Sequence, residues 1–194
     1  MTTTHLLYLH GFRSSPQSKK AQTMATLVAQ HSSRTVWWCP QLPPSPREAM
    51  ALLMQGTVSW PRDAMAVVGS SLGGFYATWL AQHTGCLAVL LNPAVDPARD
   101  LAKHIGEHTQ WHNPEETFFF RTEFVDELRV LQAGPLTHPE RYLAILAKGD
   151  EVLDWHEMHG RYAGAHIKLL EGSDHALSDF DDHTEEILRF LRLA

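Results

Sequence analysis

Gly69-Ser70-Ser71-Leu72-Gly73 follows directly on the apolar run Ala64-Met65-Ala66-Val67-Val68 and leads into Phe75-Tyr76-Ala77-Thr78-Trp79-Leu80-Ala81. The order is strand, G-x-S-x-G, helix, the layout of a nucleophile elbow, in which a sharp turn leaves the serine side chain standing clear at the top of a sheet. Glycines two residues before and two after the serine keep side chains out of that crowded turn. The bare pattern is weak: with Gly and Ser each about 7% of residues, roughly one chain in fifteen of this length carries it by chance. The flanking strand and helix raise its weight. Its centre is Ser71, because a register on Ser70 would need glycine at Val68 and Leu72.

Working outward, short apolar runs alternate with helical patterns. Leu6-Leu7-Tyr8-Leu9 reads as a buried strand ended by His10-Gly11. Ser15-Pro16 has the form of an N-cap followed by proline, which predicts a helix running to about Gln30. Thr35–Cys39 is a second strand stopped by Pro40, and Pro43-Pro44-Ser45-Pro46 is a stiff loop feeding a helix through Leu53. Ala64–Val68 is the third strand, followed by a helix from Leu72 to about His83 with Gly85 as its cap, and Cys86–Leu91 is the fourth. Alternation resumes with a strand at Arg141–Ala147, a helix at Asp154–Tyr162, a strand at His166–Leu170 and a last helix over about Thr184–Leu193. Strands spaced by helices imply right-handed crossovers, hence an α/β class with a mostly parallel sheet of about six strands covered by helices on both faces. Residues 95–139 break the rhythm, mixing Gly, Pro, His and Phe118-Phe119-Phe120. They are expected to form a short cap insertion on a single domain spanning 1–194.

Bulk properties bound the function. A chain of 194 residues with 44% hydrophobic and 20% charged residues is an ordinary globular composition. Sixteen basic against 22 acidic residues give a net charge of −6 with no long basic run, which argues against nucleic acid as a partner. The N-terminus lacks the charged and apolar regions of a signal peptide, and no apolar stretch approaches the ~20 residues of a membrane span. Cys39 and Cys86 make no disulfide framework, so the expected location is cytoplasmic with reduced thiols. Nothing in the composition addresses the oligomeric state.

An alcohol is a poor nucleophile at neutral pH, so Ser71 needs a base and a group that orients the base. Catalytic groups gather just past the carboxyl ends of parallel strands. Lys148-Gly149-Asp150-Glu151-Val152-Leu153 follows one such strand and Glu171-Gly172-Ser173-Asp174-His175-Ala176 another. The order Ser71, Asp150, His175 is nucleophile, acid, base, as in α/β-hydrolases. Asp154, Glu151 and Asp174 compete with Asp150 for the acid. His10 competes with His175 for the base, but it adjoins the loop after the first strand and reads better as a buttress. A developing oxyanion needs donors, worth about 3–4 kcal/mol each in measured cases. The backbone N–H groups of Leu72, next after the serine, and of Phe12, in His10-Gly11-Phe12, are the candidates.

The sequence resembles the small bacterial α/β-hydrolases grouped as YqiA-like esterases. The likeness rests on Tyr8-Leu9-His10-Gly11-Phe12-Arg13-Ser14-Ser15, Gly69-Ser70-Ser71-Leu72-Gly73-Gly74, Leu91-Asn92-Pro93-Ala94, Gly149-Asp150-Glu151-Val152-Leu153-Asp154 and Gly172-Ser173-Asp174-His175. It spans nearly the whole chain and is weakest over 95–139. The resemblance implies an α/β-hydrolase fold and a serine esterase working without cofactor or metal on a small-molecule acyl ester. It maps a triad onto Ser71, Asp150 and His175. A thioesterase would use the same machinery, a peptidase or lactonase is a more distant option, and a binding protein on a hydrolase scaffold is the alternative from another class.

Three further features have two readings each. His104, His108 and His112 recur every four residues, a spacing that on a helix could present imidazoles to zinc. Gly106, Thr109 and Asn113 argue against that helix, and solvent-facing histidines are the plainer reading. Arg13 is either a surface arginine or, beside a helix N-terminus, a contact for an anionic substrate group. Phe118-Phe119-Phe120, Trp111 and Phe124 either face an acyl chain or bury the insertion against the sheet.

Overall fold

Strands form where apolar side chains can be buried on both faces at once. The computed structural model describes residues 2–32 and 34–193. In chain order the strands are β1 His5–Leu9, β2 Val36–Trp38, β3 Met65–Ser70, β4 Leu87–Leu91, β5 Gly106–Thr109, β6 Thr117–Phe120, β7 Tyr142–Ala147 and β8 His166–Leu170. Six of them make one parallel sheet in the order β2-β1-β3-β4-β7-β8. Alternation along each strand divides the core in two. Leu7, Leu9, Val67, Leu90 and Ala144 face one side, and Leu6, Tyr8, Val68, Val89 and Ile145 face the other.

Helices cover both faces: α1 Lys19–His31, α2 Pro46–Gly56, α3 Leu72–Thr84, α4 Pro97–Leu101, α5 Thr122–Val130, α6 Trp155–Arg161 and α7 Thr184–Phe190. Helix α1 buries Ala21, Met24 and Val28, a helical stripe, and shares its face of the sheet with Ile187 and Leu188 of α7. The opposite face takes α2, α3 and α6 through residues such as Leu53, Leu80 and Met158. Because the strands are parallel, the loops after β1, β3, β7 and β8 emerge at one edge of the sheet. The strand order reverses at β1 and β3, where doubly wound sheets open a crevice.

Two local outcomes differ from the sequence expectation. Helix α1 begins at Lys19, because Ser15 Oγ first accepts from the Gln17 amide at 3.1 Å and Ser15 O from the Ser18 amide at 3.1 Å, closing a turn ahead of the helix. Residues 95–139 are also more regular than expected. They hold α4, an antiparallel hairpin pairing Gly106 with Phe120 through Thr109 with Thr117, and α5. Glu127 of α5 accepts from Ser45 Oγ at 2.7 Å, and Ser45 caps α2 by accepting from the Glu48 amide at 3.2 Å. Among the described residues no helix is long and apolar enough to cross a membrane.

Candidate active site

Strand β3 ends in a strained turn. Ser71 has φ 55° and ψ −119°, a conformation that costs of order 1–3 kcal/mol in a residue with a side chain. Its backbone is held on both sides: the Ser71 amide donates to Leu91 O at 3.0 Å, and Ser71 O accepts from the amides of Gly74 at 2.9 Å and Ala94 at 3.0 Å. The flanking glycines are needed for space. A Cβ on Gly69 would lie 2.3 Å from Gly73 O, and one on Gly73 would lie 2.0 Å from Leu9 O. Neither glycine has a positive φ, so close approach of the backbone is the whole reason.

The loops after β3, β7 and β8 bring Ser71, Asp150 and His175 into one hydrogen-bonded row. His175 Nε2 is 3.0 Å from Ser71 Oγ, and His175 Nδ1 is 2.8 Å from Asp150 Oδ2. An ionised carboxylate only accepts, so Nδ1 carries the proton and the lone pair at Nε2 faces the serine hydroxyl. The Asp150 side chain is 0% exposed, and its other oxygen accepts from the amides of Val152 and Leu153, both at 2.8 Å. The rival acids are engaged elsewhere. Asp154 caps α6, accepting from His156 N at 2.8 Å, and Asp174 is bound by Ser178. Glu151 accepts from the His175 amide at 3.0 Å, so it steadies the histidine's backbone and does not touch its ring.

Asn92, at the end of β4, is a residue that sequence reasoning left without a role. It is 0% exposed and has φ 41°. Its Nδ2 donates to Asp174 O at 2.9 Å and His175 O at 3.3 Å, and its Oδ1 accepts from the Ala147 amide at 2.8 Å. One amide therefore ties β4 to the end of β7 and to the loop carrying His175. The only sequence signal was its place in Leu91-Asn92-Pro93-Ala94.

His10 lies in the loop after β1 and makes no hydrogen bond to the Asp150-His175-Ser71 row. Its Nε2 accepts from the Leu42 amide at 3.1 Å, which leaves Nδ1 to donate to Gly11 O at 3.0 Å. Burial pulls its pKa down to about 4, against the partly offsetting bond to Gly11. The neutral ring braces the loop that carries Phe12. A Cβ on Gly11 would sit 3.2 Å from that of Ser71, so this loop runs against the serine. The backbone N–H groups of Phe12 and Leu72 have no partner among the described residues. With Ser71 and His175 they border a cleft of about 300 Å³ whose other walls include Ala94, Pro97, Leu101 and Trp111. A larger cleft of about 510 Å³ between His10, Leu42 and Phe118 does not reach Ser71.

The segment between β4 and β7 leans on the Phe12 loop. The Phe12 ring packs against His104, His108, Phe118 and Phe120 with centroids 5.3 to 5.8 Å away. Arg13 donates to Thr109 O at 2.8 Å and Thr109 Oγ1 at 3.2 Å, and its guanidinium lies 4.0 Å over the Trp111 ring. Arg13 thus latches the hairpin, where the sequence suggested a surface residue or a substrate contact. His104 falls in a short 3-10 turn and His108 in β5, with Gly106 at φ 140° between them, so the four-residue spacing puts no helical face together. Among the described residues no group of three or more His, Cys, Asp or Glu is arranged to hold a metal.

Comparison with known proteins agrees with this architecture. The chain is 22% identical over 191 residues to a UPF0227 protein of Serratia proteamaculans, covering 97% of this chain and 99% of that one. Among solved structures it is similar to a putative hydrolase from Agrobacterium vitis, with a TM-score of 0.73 at 17% identity over 98% of this chain and 91% of that one. It is also similar to a monoacylglycerol lipase from Paleococcus ferrophilus, with a TM-score of 0.70 at 12% identity over 100% and 96% of the two chains. The architecture is the α/β-hydrolase fold, and the match of residues 5–192 to the model of UPF0227, described as an uncharacterised protein family, means that the chain belongs to that family.

Proposed function

We propose that the protein is a serine esterase that hydrolyses small carboxylic esters through an acyl-enzyme on Ser71. The observation that carries this reading is the row Asp150 Oδ2, His175 Nδ1, His175 Nε2, Ser71 Oγ, with contacts of 2.8 and 3.0 Å. Ser71 Oγ attacks the ester carbonyl while His175 Nε2 takes its proton. Asp150, desolvated and fixed by two amides, holds the ring in the working tautomer and offsets the imidazolium charge. The unpartnered N–H groups of Phe12 and Leu72 receive the oxyanion of the tetrahedral intermediate. On collapse His175 returns the proton to the departing alkoxide. Water then attacks the acyl-enzyme, gives its proton to His175, and releases the acid and free Ser71 hydroxyl. The chemistry needs no metal or cofactor.

In this reading residues 1–194 form one hydrolase domain, working in the cytoplasm, and 95–139 cap its cleft. The test is covalent labelling by a fluorophosphonate together with turnover of a panel of para-nitrophenyl esters. Labelling and turnover should both vanish in Ser71→Ala. Persistent labelling of that variant, or a wild-type protein that is neither labelled nor able to turn over any ester or thioester, would refute the proposal.

A further inference from the structure

A second, smaller cavity of about 190 Å³ reaches Ser71 and His175 on the α1 side of the sheet. Its lining is unusual in what it leaves unused. Tyr8 is 1% exposed and Ser70 7% exposed, yet neither hydroxyl makes a hydrogen bond to any described residue. Ser18 Oγ, at the head of α1, is buried without a partner. Lys20 Nζ donates to Ala176 O, which leaves two of its three donors. No acidic side chain lines the space, and His10, which does, is neutral with both ring nitrogens engaged. Buried polar groups are normally paired, and Ser18 Oγ is not; with the cavity-facing hydroxyls of Tyr8 and Ser70 and the spare donors of the ammonium it describes a place for a group that accepts several hydrogen bonds and carries negative charge.

We propose that this cavity binds an anionic group of the substrate, a carboxylate or a phosphate, with Lys20 supplying the charge and the Tyr8 and Ser70 hydroxyls the further hydrogen bonds. The inference deepens the esterase reading and rests on it: the ester bond would lie at Ser71, with the anion held one cavity away. The positive end of α1 at Ser18 favours the same sign of charge. Asp174, whose charge Lys20 feels, makes its hydrogen bonds to Ser178 at 2.9 and 2.6 Å and forms no ion pair with the ammonium. Burial pulls Lys20 down to about 8, which leaves it mostly charged at neutral pH.

The test compares para-nitrophenyl esters of one chain length and different tails: valerate (neutral), glutarate (carboxylate) and gamma-phosphonobutyrate (phosphonate). Inorganic phosphate and free glutarate serve as inhibitors of valerate-ester hydrolysis at constant ionic strength, a readout that does not depend on which side of the ester carries the charge. We expect kcat/KM for at least one anionic ester to exceed that of the neutral ester by about tenfold or more, or the matching free anion to inhibit competitively. Which anion does so separates carboxylate from phosphate. Lys20→Met should lower the anionic-to-neutral ratio, or weaken inhibition, by about tenfold or more, and Tyr8→Phe, an isosteric loss of one hydroxyl, by a few-fold. A wild-type protein that turns over the neutral ester through Ser71, shows no anionic preference and is inhibited by neither anion would overturn the anion site alone. Absence of both Ser71 labelling and ester turnover would overturn the esterase reading, and this inference would fall with it.

Discussion

Asn92→Ala is the substitution whose cost can be worked most directly from the structure. Three effects add. The Ala147 amide loses its acceptor at 2.8 Å and stays buried, which costs about 1–3 kcal/mol. The backbone at φ 41° suits asparagine but strains alanine by about 1–2 kcal/mol. The loss of donation to His175 O at 3.3 Å adds less, and Asp174 O keeps a second donor in the Leu177 amide at 3.0 Å. The sum is about 2–5 kcal/mol. With a denaturant dependence near 2 kcal/mol per molar urea, the unfolding midpoint should fall by about 1–2.5 M. Tryptophan fluorescence during urea titration measures it. Asn92→Gly should recover about 1 kcal/mol of the loss, since it relieves the backbone and leaves the hydrogen bonds broken. Asn92→Asp keeps size and backbone preference, but turns a carboxylate oxygen toward two carbonyls in a fully buried site. Its folded carboxyl binds a proton more tightly than the unfolded one, so its deficit should be largest near neutral pH and narrow as pH falls. A midpoint shift for Asn92→Ala equivalent to less than about 1 kcal/mol would refute this account, as would equal losses for alanine and glycine.

Comparing Asp150→Asn with Asp154→Asn separates the two aspartates. The first should lower ester kcat by about a hundredfold to ten-thousandfold by upsetting the His175 tautomer, and the second, which alters an exposed helix cap, by less than about threefold. His175→Ala should lower kcat/KM by about a thousandfold or more, and a change below about tenfold would move the base elsewhere. Gly149→Ala would drive a Cβ to 2.2 Å from Ser173 O, so the loops bearing Asp150 and His175 must separate; loss of turnover together with a lowered melting temperature is expected. His10 should titrate near 4 by NMR, against an ordinary 6.5. Because its folded pKa is depressed, its neutral ring costs nothing above pH ~6.5, and stability falls by about 1.4 kcal/mol for each pH unit between there and about 4. A midpoint above 6 would refute a buried, neutral ring that accepts from the Leu42 amide.

Much of the fold was legible because the sheet is buried on both faces. Continuous apolar runs such as Leu143–Ala147 and helices with buried stripes such as Ala21, Met24 and Val28 leave little choice of element. The 95–139 segment was not legible for the opposite reason. Strand β5 reads Gly-Glu-His-Thr and β6 Thr-Phe-Phe-Phe, four residues each, too short for a period to register. Their pairing depends on docking Phe118 and Phe120 against Phe12 across the chain. Ser15-Pro16 has the form of a helix start, but the Ser15 side chain closes a turn of its own and α1 begins at Lys19.

By itself the sequence determined that Ser71 sits at a strand-to-helix turn, that Asp150 and His175 lie in later loops, and that the sheet is parallel, because spacing and alternation are local properties of the chain. Only the tertiary structure decided which polar groups meet. Asp150, Glu151, Asp154 and Asp174 are all carboxylates in the right loops, but hydrogen bonds of 2.8 to 3.0 Å give Asp150 the ring of His175, Glu151 its amide, Asp154 the amide of His156 and Asp174 that of Ser178. The same holds for Asn92, whose bonds reach 55 and 83 residues along the chain, and for the Lys20 cavity, where Tyr8, Ser18 and Ser70 come from three separate elements. Hydrogen bonding is short-ranged and directional, so its outcome is set by where the parallel sheet delivers its loops.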